Sequence, residues 1–462
     1  MTINGFSAYS SKYLSSCKST ANVRELAGRR VAVDVYLIVF QAKARALKEA
    51  VNTKTIMGQY EEMQKQIQQV TKRVFYDRIL NYHNWGWKLI FCFDSLQSHP
   101  LRENVKSRRA EDKEKLTDKI AEARRQLELS SSDPIYFQAA IDTLIKYEQQ
   151  NTSENIFSLI NHFRSTLTAL GFPVFTPEDL FEPGTNYTPD GEAVASALVV
   201  KGYADIAYTT DADVLSYGCP VTITEIKGDM YTYRCLEPVL NQTGVEFNNF
   251  VAACILAGVD FNENVKGIAF GKALSIIYQA QPQLIDLLAC QLLQLLTFFY
   301  NSTLNNDDNN GDYLNQIINL DWLKNNTALS DDELCQLETR YEFSFAHESM
   351  MDVGSALQEL LPSYINNVKL WNLINNPNIN WFAVLPLYRC IDYAVVNKSV
   401  DFDPEMFARQ ANLVLDSECL NSYIPKFCKT MGVDNLVALT AALSIATSSS
   451  GSGHGSNHEV EF

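Results

Sequence analysis

The sequence predicts a doubly wound α/β domain, chiefly because three short apolar runs each end in an aspartate. The runs are Arg30–Asp34, Leu89–Asp94 and Ala204–Asp211. Continuous apolar runs of this length are typical of strands buried on both faces of a parallel sheet. Helical patterns lie between them, at Val35–Glu49, Tyr60–Asn84 and Glu192–Lys201. The alternation of strand and helix indicates a mostly parallel sheet that is covered by helices.

Other stretches predict further elements. Val221–Arg234 alternates around Lys227-Gly228-Asp229, which predicts a β-hairpin. Asn248–Gln279 predicts two short helices bridged by Val259–Gly271. We therefore divide the chain into six regions. The first four are an amino-terminal part of the sheet domain (1–100), a charged helical insertion (101–165), a second part of the sheet domain (166–245) and a two-helix region (246–285). They are followed by an acidic all-helical region (286–446) and a disordered low-complexity tail (447–462).

Composition limits the class of protein. With 462 residues, 46% of them hydrophobic and 20% charged, the chain can bury a large core in two or three packed units. Ten cysteines without a CxxC pair are typical of free thiols in a reducing compartment. The chain begins without the pattern of a signal peptide, and its longest apolar run, Leu284–Tyr300, is too short to span a bilayer. We expect an intracellular protein that is not secreted, is nuclear if eukaryotic, and makes no membrane contact.

The net charge of −16 is unevenly distributed along the chain. Residues 1–280 hold 30 Lys+Arg against 32 Asp+Glu, whereas residues 281–462 hold 8 against 22. A uniformly acidic surface repels nucleic acid, so any nucleic acid should meet the nearly neutral first part.

Seven carboxylates stand at the ends of the predicted strands and beside the predicted helices. Each alone is best explained as a cap or turn residue, but packing all of them together would destabilise the fold unless cations compensate. Hard divalent ions such as Mg²⁺ prefer oxygen ligands, and carboxyl ends of parallel strands share one edge of a sheet. The predicted metal ligands are Asp34, Asp94, Asp190, Glu192, Asp211, Asp213 and Asp260.

The motifs around these carboxylates resemble a known family. They are Ile3-Asn-Gly-Phe6, Val31-Ala-Val-Asp34 with Phe40, Phe93-Asp94, Pro189-Asp-Gly-Glu-Ala193, Thr210-Asp-Ala-Asp-Val-Leu215, Cys254-Ile-Leu-Ala-Gly-Val-Asp-Phe261 and Val265-Lys-Gly-Ile268. In this order they resemble the IxGL, VAVD, VFDG, EAEA, TEDxDxL and CILxGxDY motifs and the helix–two-turn–helix of the flap endonuclease/XPG (Rad2-like) 5′ nucleases. The resemblance extends from residue 3 to about residue 280.

This resemblance implies a PIN-like fold with a helical arch over 101–165 and a structure-specific 5′ nuclease, acting as flap endonuclease, 5′→3′ exonuclease or both. Two Mg²⁺ ions, replaceable by Mn²⁺, would be bound by the seven carboxylates, and K⁺ by the helix–two-turn–helix. Arg102 and Arg109 would contact the scissile phosphate, Phe40 would stack on a base, and other DNA contacts would come from Lys106, Arg108, Lys266, Gly267 and Gly271. The implied partner is branched or 5′-ended DNA in replication, repair or recombination. A sliding clamp or repair proteins would be further partners, for which the sequence shows no clear motif, and we expect a monomer.

Some positions depart from the family pattern. Thr2 replaces a glycine, Asp190 replaces the first Glu of EAEA, and Ser95 stands where Gly follows the second aspartate. Gly267-Ile-Ala-Phe-Gly271 does not keep the GIGxxxA loop. Two alternatives therefore stay open. One is a catalytically silent member that serves as a protein- or RNA-binding scaffold, and the other is a nuclease of the same fold that acts on RNA, because cleavage of the backbone reads little base identity.

Overall fold

The computed structural model describes residues 3–52, 60–96, 103–129, 134–150, 155–181, 188–262, 265–280, 332, 381–403 and 406. Within these ranges, no helix combines the length and the apolar character needed to cross a membrane. The cysteines in the same ranges are free thiols, namely Cys17, Cys92, Cys219, Cys235, Cys254 and Cys390.

A seven-stranded sheet forms the centre of the described structure. Its strands are β1 (Lys18–Asn22), β2 (Arg30–Asp34), β3 (Lys88–Cys92), β4 (Val174–Phe175), β5 (Ile206–Tyr208), β6 (Val221–Lys227) and β7 (Met230–Cys235). Their spatial order is β1-β7-β6-β5-β2-β3-β4. The strands from β6 to β4 run parallel, whereas β7 is antiparallel to both of its neighbours. The predicted mostly parallel α/β fold is confirmed.

Helices cover both faces of this sheet. The helices among the described residues are α1 (Phe6–Tyr13), α2 (Val35–Asn52), α3 (Tyr60–Asn84), α4 (Glu103–Leu129), α5 (Pro134–Gln150), α6 (Asn155–Ala169), α7 (Gly191–Val200), α8 (Asp213–Ser216), α9 (Leu236–Thr243), α10 (Phe247–Ala257), α11 (Phe270–Ala280) and α12 (Trp381–Arg389). One face packs on α2, α3 and α6, and the other packs on α7, α10, α11 and α12.

The central strands are apolar on both faces because each face supplies a separate core. In β2, Val31 and Val33 join the cluster with α2 and α3, while Ala32 between them joins the cluster with α7 and α10. This is the period-two alternation of a strand, in which successive side chains point to opposite faces. The next side chain, Asp34, therefore lies on the α7 side at the carboxyl end of β2, where its neighbours determine its chemistry.

The predicted hairpin is also present. β6 and β7 pair antiparallel with Lys227 opposite Met230, so that Gly228 and Asp229 form the connecting turn. Gly228 has a φ of 58°, a left-handed conformation that glycine adopts at little cost. β1 pairs with β7 as an edge strand, and its polar sequence Lys-Ser-Thr-Ala-Asn gave no strand signal.

The range 101–165 contains α4, α5 and part of α6. Helices α4 and α5 pack against each other through a small core of their own, formed by Ile120, Ala123, Leu127, Ala140 and Leu144. The helical character of this range agrees with the sequence. Its action as an arch for a single strand stays a prediction.

Part of the acidic region predicted at 286–446 packs on the sheet domain. Residues 381–403 contribute the buried side chains of Val384, Leu387 and Ile391 to the same core as α7 and α10. Further on, the amides of Val395 and Asp403 donate to the carbonyls of Leu180 and Gly171, at 2.9 Å each. The sequence offered no signal for this long-range packing. Most of the acidic region, and the tail predicted at 447–462, lies outside the described residues.

Candidate metal centre

Three of the seven carboxylates follow adjacent parallel strands. Asp34 ends β2, Asp94 lies just beyond β3, and Asp211 lies just beyond β5. Since β5, β2 and β3 are neighbours in the sheet, their carboxyl ends open on one edge. Ligands of open α/β sheets bind at this edge.

Helix ends supply the other four carboxylates. Asp190 is the N-cap of α7, Glu192 stands in the first turn of that helix, and Asp213 begins α8. Asp260 lies just beyond the carboxyl end of α10. Amide groups at a helix amino terminus are unpaired donors with a partial positive charge, which favours carboxylates at that position.

A backbone amide links the segment after β3 to α7. The Gly191 amide donates to Oδ1 of Asp94 at 2.8 Å, and the Ser95 amide donates to the carbonyl of Pro189 at 2.8 Å. A Cβ on Gly191 would lie 3.1 Å from that Asp94 oxygen and 3.2 Å from the carbonyl oxygen of Cys92. Glycine at this position lets α7 begin close to the end of β3, and Asp94 is held there.

Threonine hydroxyls hold the other carboxylates. Thr209 Oγ1 donates to Oδ2 of Asp34 at 2.9 Å and accepts from the Asp211 amide at 3.1 Å. The Asp213 amide in turn donates to Oδ1 of Asp211 at 3.1 Å. The carboxylate at the end of β2 is thus linked by hydrogen bonds to both carboxylates that follow β5.

A second threonine plays a similar part at α7. Thr188 Oγ1 donates to Oδ2 of Asp190 at 2.9 Å, and the Tyr217 hydroxyl donates to Thr188 Oγ1 at 3.0 Å. The same Tyr217 hydroxyl lies 3.5 Å from Oδ2 of Asp190. Asp190 is 2% exposed, so these contacts replace water around a buried charge.

Three carboxylates converge closely enough to share one ion. Oxygen atoms of Glu192, Asp211 and Asp213 lie within 4.8 Å of one another. Such a group repels itself unless it binds a cation or protons.

Burial and this repulsion raise the pKa values of Glu192, Asp213 and Asp34. Burial raises the pKa of Glu192 well above its usual range, and the charges of Asp190, Asp211, Asp94 and Asp34 raise it further. Burial likewise raises the pKa of Asp213, with added repulsion from Asp211 and Asp260. The pKa of Asp34 is raised to about 6, mainly by burial. Each of the other five predicted carboxylates therefore lies within electrostatic range of Glu192, of Asp213 or of both.

The residues present fit a hard divalent cation. Within the described part of the chain, Oδ1 of Asp34 and Oδ1 of Asp213 are buried and accept no hydrogen bond. A buried carboxylate oxygen without a donor loses hydration without compensation, and a cation would provide it. The seven predicted ligands all offer carboxylate oxygens, which are ligands that suit Mg²⁺ or Mn²⁺ and not a soft metal.

Comparison with known proteins shows what the chain is similar to. A family model described as the XPG I-region matches residues 188–260, a range that holds five of the seven carboxylates. Flap endonuclease 1 of Leishmania braziliensis is 27% identical over 248 residues, which are 52% of this chain and 55% of that protein. Flap endonuclease 1-A of Xenopus laevis is 26% identical over 270 residues, covering 56% of this chain and 60% of that protein. The chain carries an XPG I-region and is similar to flap endonucleases of the XPG/Rad2 family.

The similarity to these relatives covers only part of each chain. The chain spans between 55% and 60% of the two relatives named above. Among solved structures, the catalytic core of Rad2 in complex with DNA substrate is similar at 14% identity and a TM-score of 0.42, covering 92% of this chain and 99% of that one.

Other positions matched to XPG/Rad2 motifs are placed as follows. Phe40 lies on α2 with 39% of its surface exposed, and its ring centroid is 6.3 Å from that of Tyr36. Lys266 and Gly267 are exposed before α11, and Gly271 is partly buried in its first turn. Lys106, Arg108 and Arg109 lie on α4, whose side chains at these positions are not described, and Arg102 lies outside the described residues. Their roles stay predictions.

The short side chain of Asp190 is held by two neighbouring hydroxyl groups. Thr188 and Tyr217 both contact its Oδ2, which fixes the short arm in one orientation. Thr188, Thr209 and Tyr217 were not predicted from the sequence. A signal for the two threonines existed, since each stands two residues before a predicted ligand, at Thr188–Asp190 and Thr209–Asp211.

Gly191→Ala is expected to weaken binding of Mn²⁺ by about tenfold, the lower end for a group that orients a metal ligand. The added methyl would lie 3.1 Å from Oδ1 of Asp94 and 3.2 Å from a β3 carbonyl, so Asp94 or the start of α7 must shift. Calorimetric titration with Mn²⁺ measures the change. Gly202→Ala is the control, because it strains a glycine at φ 76° with nothing within 4 Å of the new methyl. Equal Mn²⁺ affinity in the parent and in Gly191→Ala would contradict the expectation.

Proposed function

We propose that this chain is a structure-specific 5′ nuclease that hydrolyses DNA phosphodiesters near a junction of single strand and duplex. The observation that carries the proposal is the convergence of Glu192, Asp211 and Asp213, whose oxygen atoms lie within 4.8 Å of one another. The match of residues 188–260 to the XPG I-region and the similarity to flap endonucleases support it. A scaffold without catalysis would gain no stability from so many buried like charges.

The carboxylates would hold two divalent ions, Mg²⁺ or Mn²⁺. Glu192, Asp211 and Asp213 would share one ion, because their oxygen atoms lie within 4.8 Å of one another, and Asp34, Asp94, Asp190 and Asp260 would complete the two sites. Bound divalent ions lower the pKa of water and neutralise charge that develops on a phosphodiester.

The chain's own groups would orient the reaction. Thr209 and Thr188 fix one oxygen each of Asp34 and Asp190, which would leave the other oxygen of each carboxylate available to an ion. The Gly191 amide fixes Asp94 in the same way. Preorganised ligands of this kind need no rearrangement when charge develops, which lowers the barrier.

Substrate contacts follow from the family resemblance. Arg102 and Arg109 are proposed to contact the scissile phosphate, and Lys106 and Arg108 the strand near it. Phe40, with its ring partly exposed at the start of α2, is proposed to stack on a base beside the cut. Lys266, Gly267 and Gly271 are proposed to bind the duplex backbone, where lysine neutralises phosphate charge. K⁺ beside these glycines is part of the same proposal.

The test is cleavage of a 5′-labelled double-flap DNA in Mg²⁺. The parent should cut at the junction, whereas Asp211→Asn and the parent in EDTA should not. Asp229→Asn is the matched control, since it changes an exposed aspartate in the β6–β7 turn. A folded parent that binds the flap without cutting it contradicts the nuclease and favours a silent scaffold. A matched RNA flap cut faster than the DNA flap contradicts the choice of DNA.

A further inference from the structure

The segment 381–403 is distant in sequence from the carboxylates but packs against the helices that carry or precede some of them. It begins with α12 and continues through a 3₁₀ turn at Cys390–Tyr393. α12 packs against α10, and the 3₁₀ turn packs against α7, the helix that carries Asp190 and Glu192 at its start. The Lys201 ammonium donates to the Asp392 carbonyl at 2.8 Å, which ties the far end of α7 to the same segment.

Tyr388 is a buried residue of this segment that contacts the surroundings of the site through its ring. It is 3% exposed, and its ring stacks on Tyr217 with centroids 5.0 Å apart and planes at 27°. It also meets the ring of Phe261 edge to face, at 6.5 Å and 80°. Stacked and edge-to-face pairs of this kind stabilise specific ring orientations beyond simple burial.

Both ring partners are linked to predicted metal ligands, Tyr217 by hydrogen bonds through Thr188 and Phe261 by the backbone. Tyr217 donates to Thr188 at 3.0 Å, and Thr188 donates to Asp190 at 2.9 Å. Phe261 is the next residue after Asp260 in the chain. Tyr388 therefore holds one side of the cluster through two separate paths.

The electrostatic environment of Tyr388 agrees with this placement. Burial raises its pKa well above the usual range, and the charges of Asp213, Asp190 and Asp260 contribute. Within the described residues its hydroxyl is buried and makes no hydrogen bond. The side chain thus lies beside the carboxylates and contacts other groups mainly through its ring.

We propose that Tyr388 is a positioning residue for the metal centre, which fixes Asp190 through Tyr217 and Thr188, and Asp260 through Phe261. The inference rests on the proposed metal site. Groups behind the ligands set ligand orientation, and in metal proteins their loss weakens metal binding by about 10- to 100-fold. The sheet domain alone does not complete the site, because one of its supports comes from residues 381–403.

Calorimetric titration of the full chain with Mn²⁺ tests the proposal without DNA. Tyr388→Leu removes the ring and is expected to weaken Mn²⁺ binding by about 10- to 100-fold. Tyr388→Phe keeps the stack on Tyr217 and should bind Mn²⁺ as the parent does. The control is Leu387→Ala, a neighbour that is 0% exposed. Its side chain points about 100° away around α12, so it should lower the melting temperature but leave Mn²⁺ affinity unchanged.

Tyr217→Phe tests the second link of the path and keeps the core volume. It removes the hydroxyl that donates to Thr188, and weaker Mn²⁺ binding is expected even if Tyr388→Leu does not fold. Parent-like Mn²⁺ affinity in folded Tyr388→Leu or in Tyr217→Phe overturns the proposal, as does an equal loss in Leu387→Ala. A parent that binds Mn²⁺ but cuts no DNA refutes the nuclease function alone, because the affinity comparison still applies.

Discussion

Asp213→Asn is expected to reduce flap cleavage by at least 10²- to 10³-fold, roughly the loss when one preorganised electrostatic group is removed. Asp213 is 1% exposed, begins α8, and has a buried Oδ1 without a donor among the described residues. Asparagine keeps the shape and removes the negative charge that a divalent ion requires. Cleavage of the labelled double flap under single-turnover conditions measures the loss.

The same substitution should raise the melting temperature of the metal-free protein. Burial and the charges of Asp211 and Asp260 raise the pKa of Asp213 well above its usual range. At neutral pH the folded state must therefore either keep a buried charge or take up a proton that the unfolded chain does not bind, and both cost free energy. Asparagine avoids that cost.

The two effects together test the site more sharply than activity does. Asp229→Asn, in the exposed β6–β7 turn, should change neither cleavage nor melting temperature. Loss of cleavage with a lower melting temperature in EDTA would indicate that Asp213 is structural, contrary to our assignment.

The stabilisation of the protein by Mg²⁺ is expected to increase from pH 5 to pH 8. Carboxylates with raised folded-state pKa stabilise the fold while they are protonated, and that stability is lost as pH rises through the folded pKa. For Asp34, raised from 3.8 to about 6, the loss occurs between those values and is on the order of 3 kcal/mol. For Glu192 and Asp213 it extends to higher pH, because their pKa values are raised further.

Bound Mg²⁺ removes this penalty, because it favours the ionised carboxylates and binds only the folded chain. The melting temperature should be measured at each pH with Mg²⁺ and with EDTA, and the difference plotted against pH. His83 acts in the opposite direction, since burial lowers its pKa to about 4, but its contribution cancels when the two conditions are compared at one pH. A difference that stays constant or shrinks towards pH 8 would contradict a carboxylate metal centre.

Much of the fold was predictable because its central elements carry local signals. The strand at Arg30–Asp34 was predicted with its observed bounds, since an apolar run ends there at a helix start. β1 was missed because it is a polar edge strand, stabilised only by pairing with β7. β4 is two residues long and too short to show a pattern.

The carboxylates of the candidate site were predictable from the sequence, but the residues that contact and orient them were not. Each aspartate stands beside an apolar run, which identifies it in the sequence. The positions of Tyr217 and Tyr388 depend on contacts between distant parts of the chain, and no local pattern encodes such contacts. The packing of residues 381–403 on the sheet domain could not be predicted for the same reason. Its apolar residues follow a pattern that any buried helix can show, and that pattern does not name the partner.

The packing of residues 381–403 also sets an order of events during synthesis. Chains leave the ribosome from the amino terminus, and domains fold as units when their residues are available. Arg30, the first residue of β2, forms its ion pair with Asp401, so the two partners are made at very different times. While the ribosome is still translating 281–380, one face of the sheet lacks α12, and Tyr217 lacks its ring partner. We therefore expect the metal centre to be among the last parts of the domain to form, and nascent chains to become able to cut only after residue 403 has emerged.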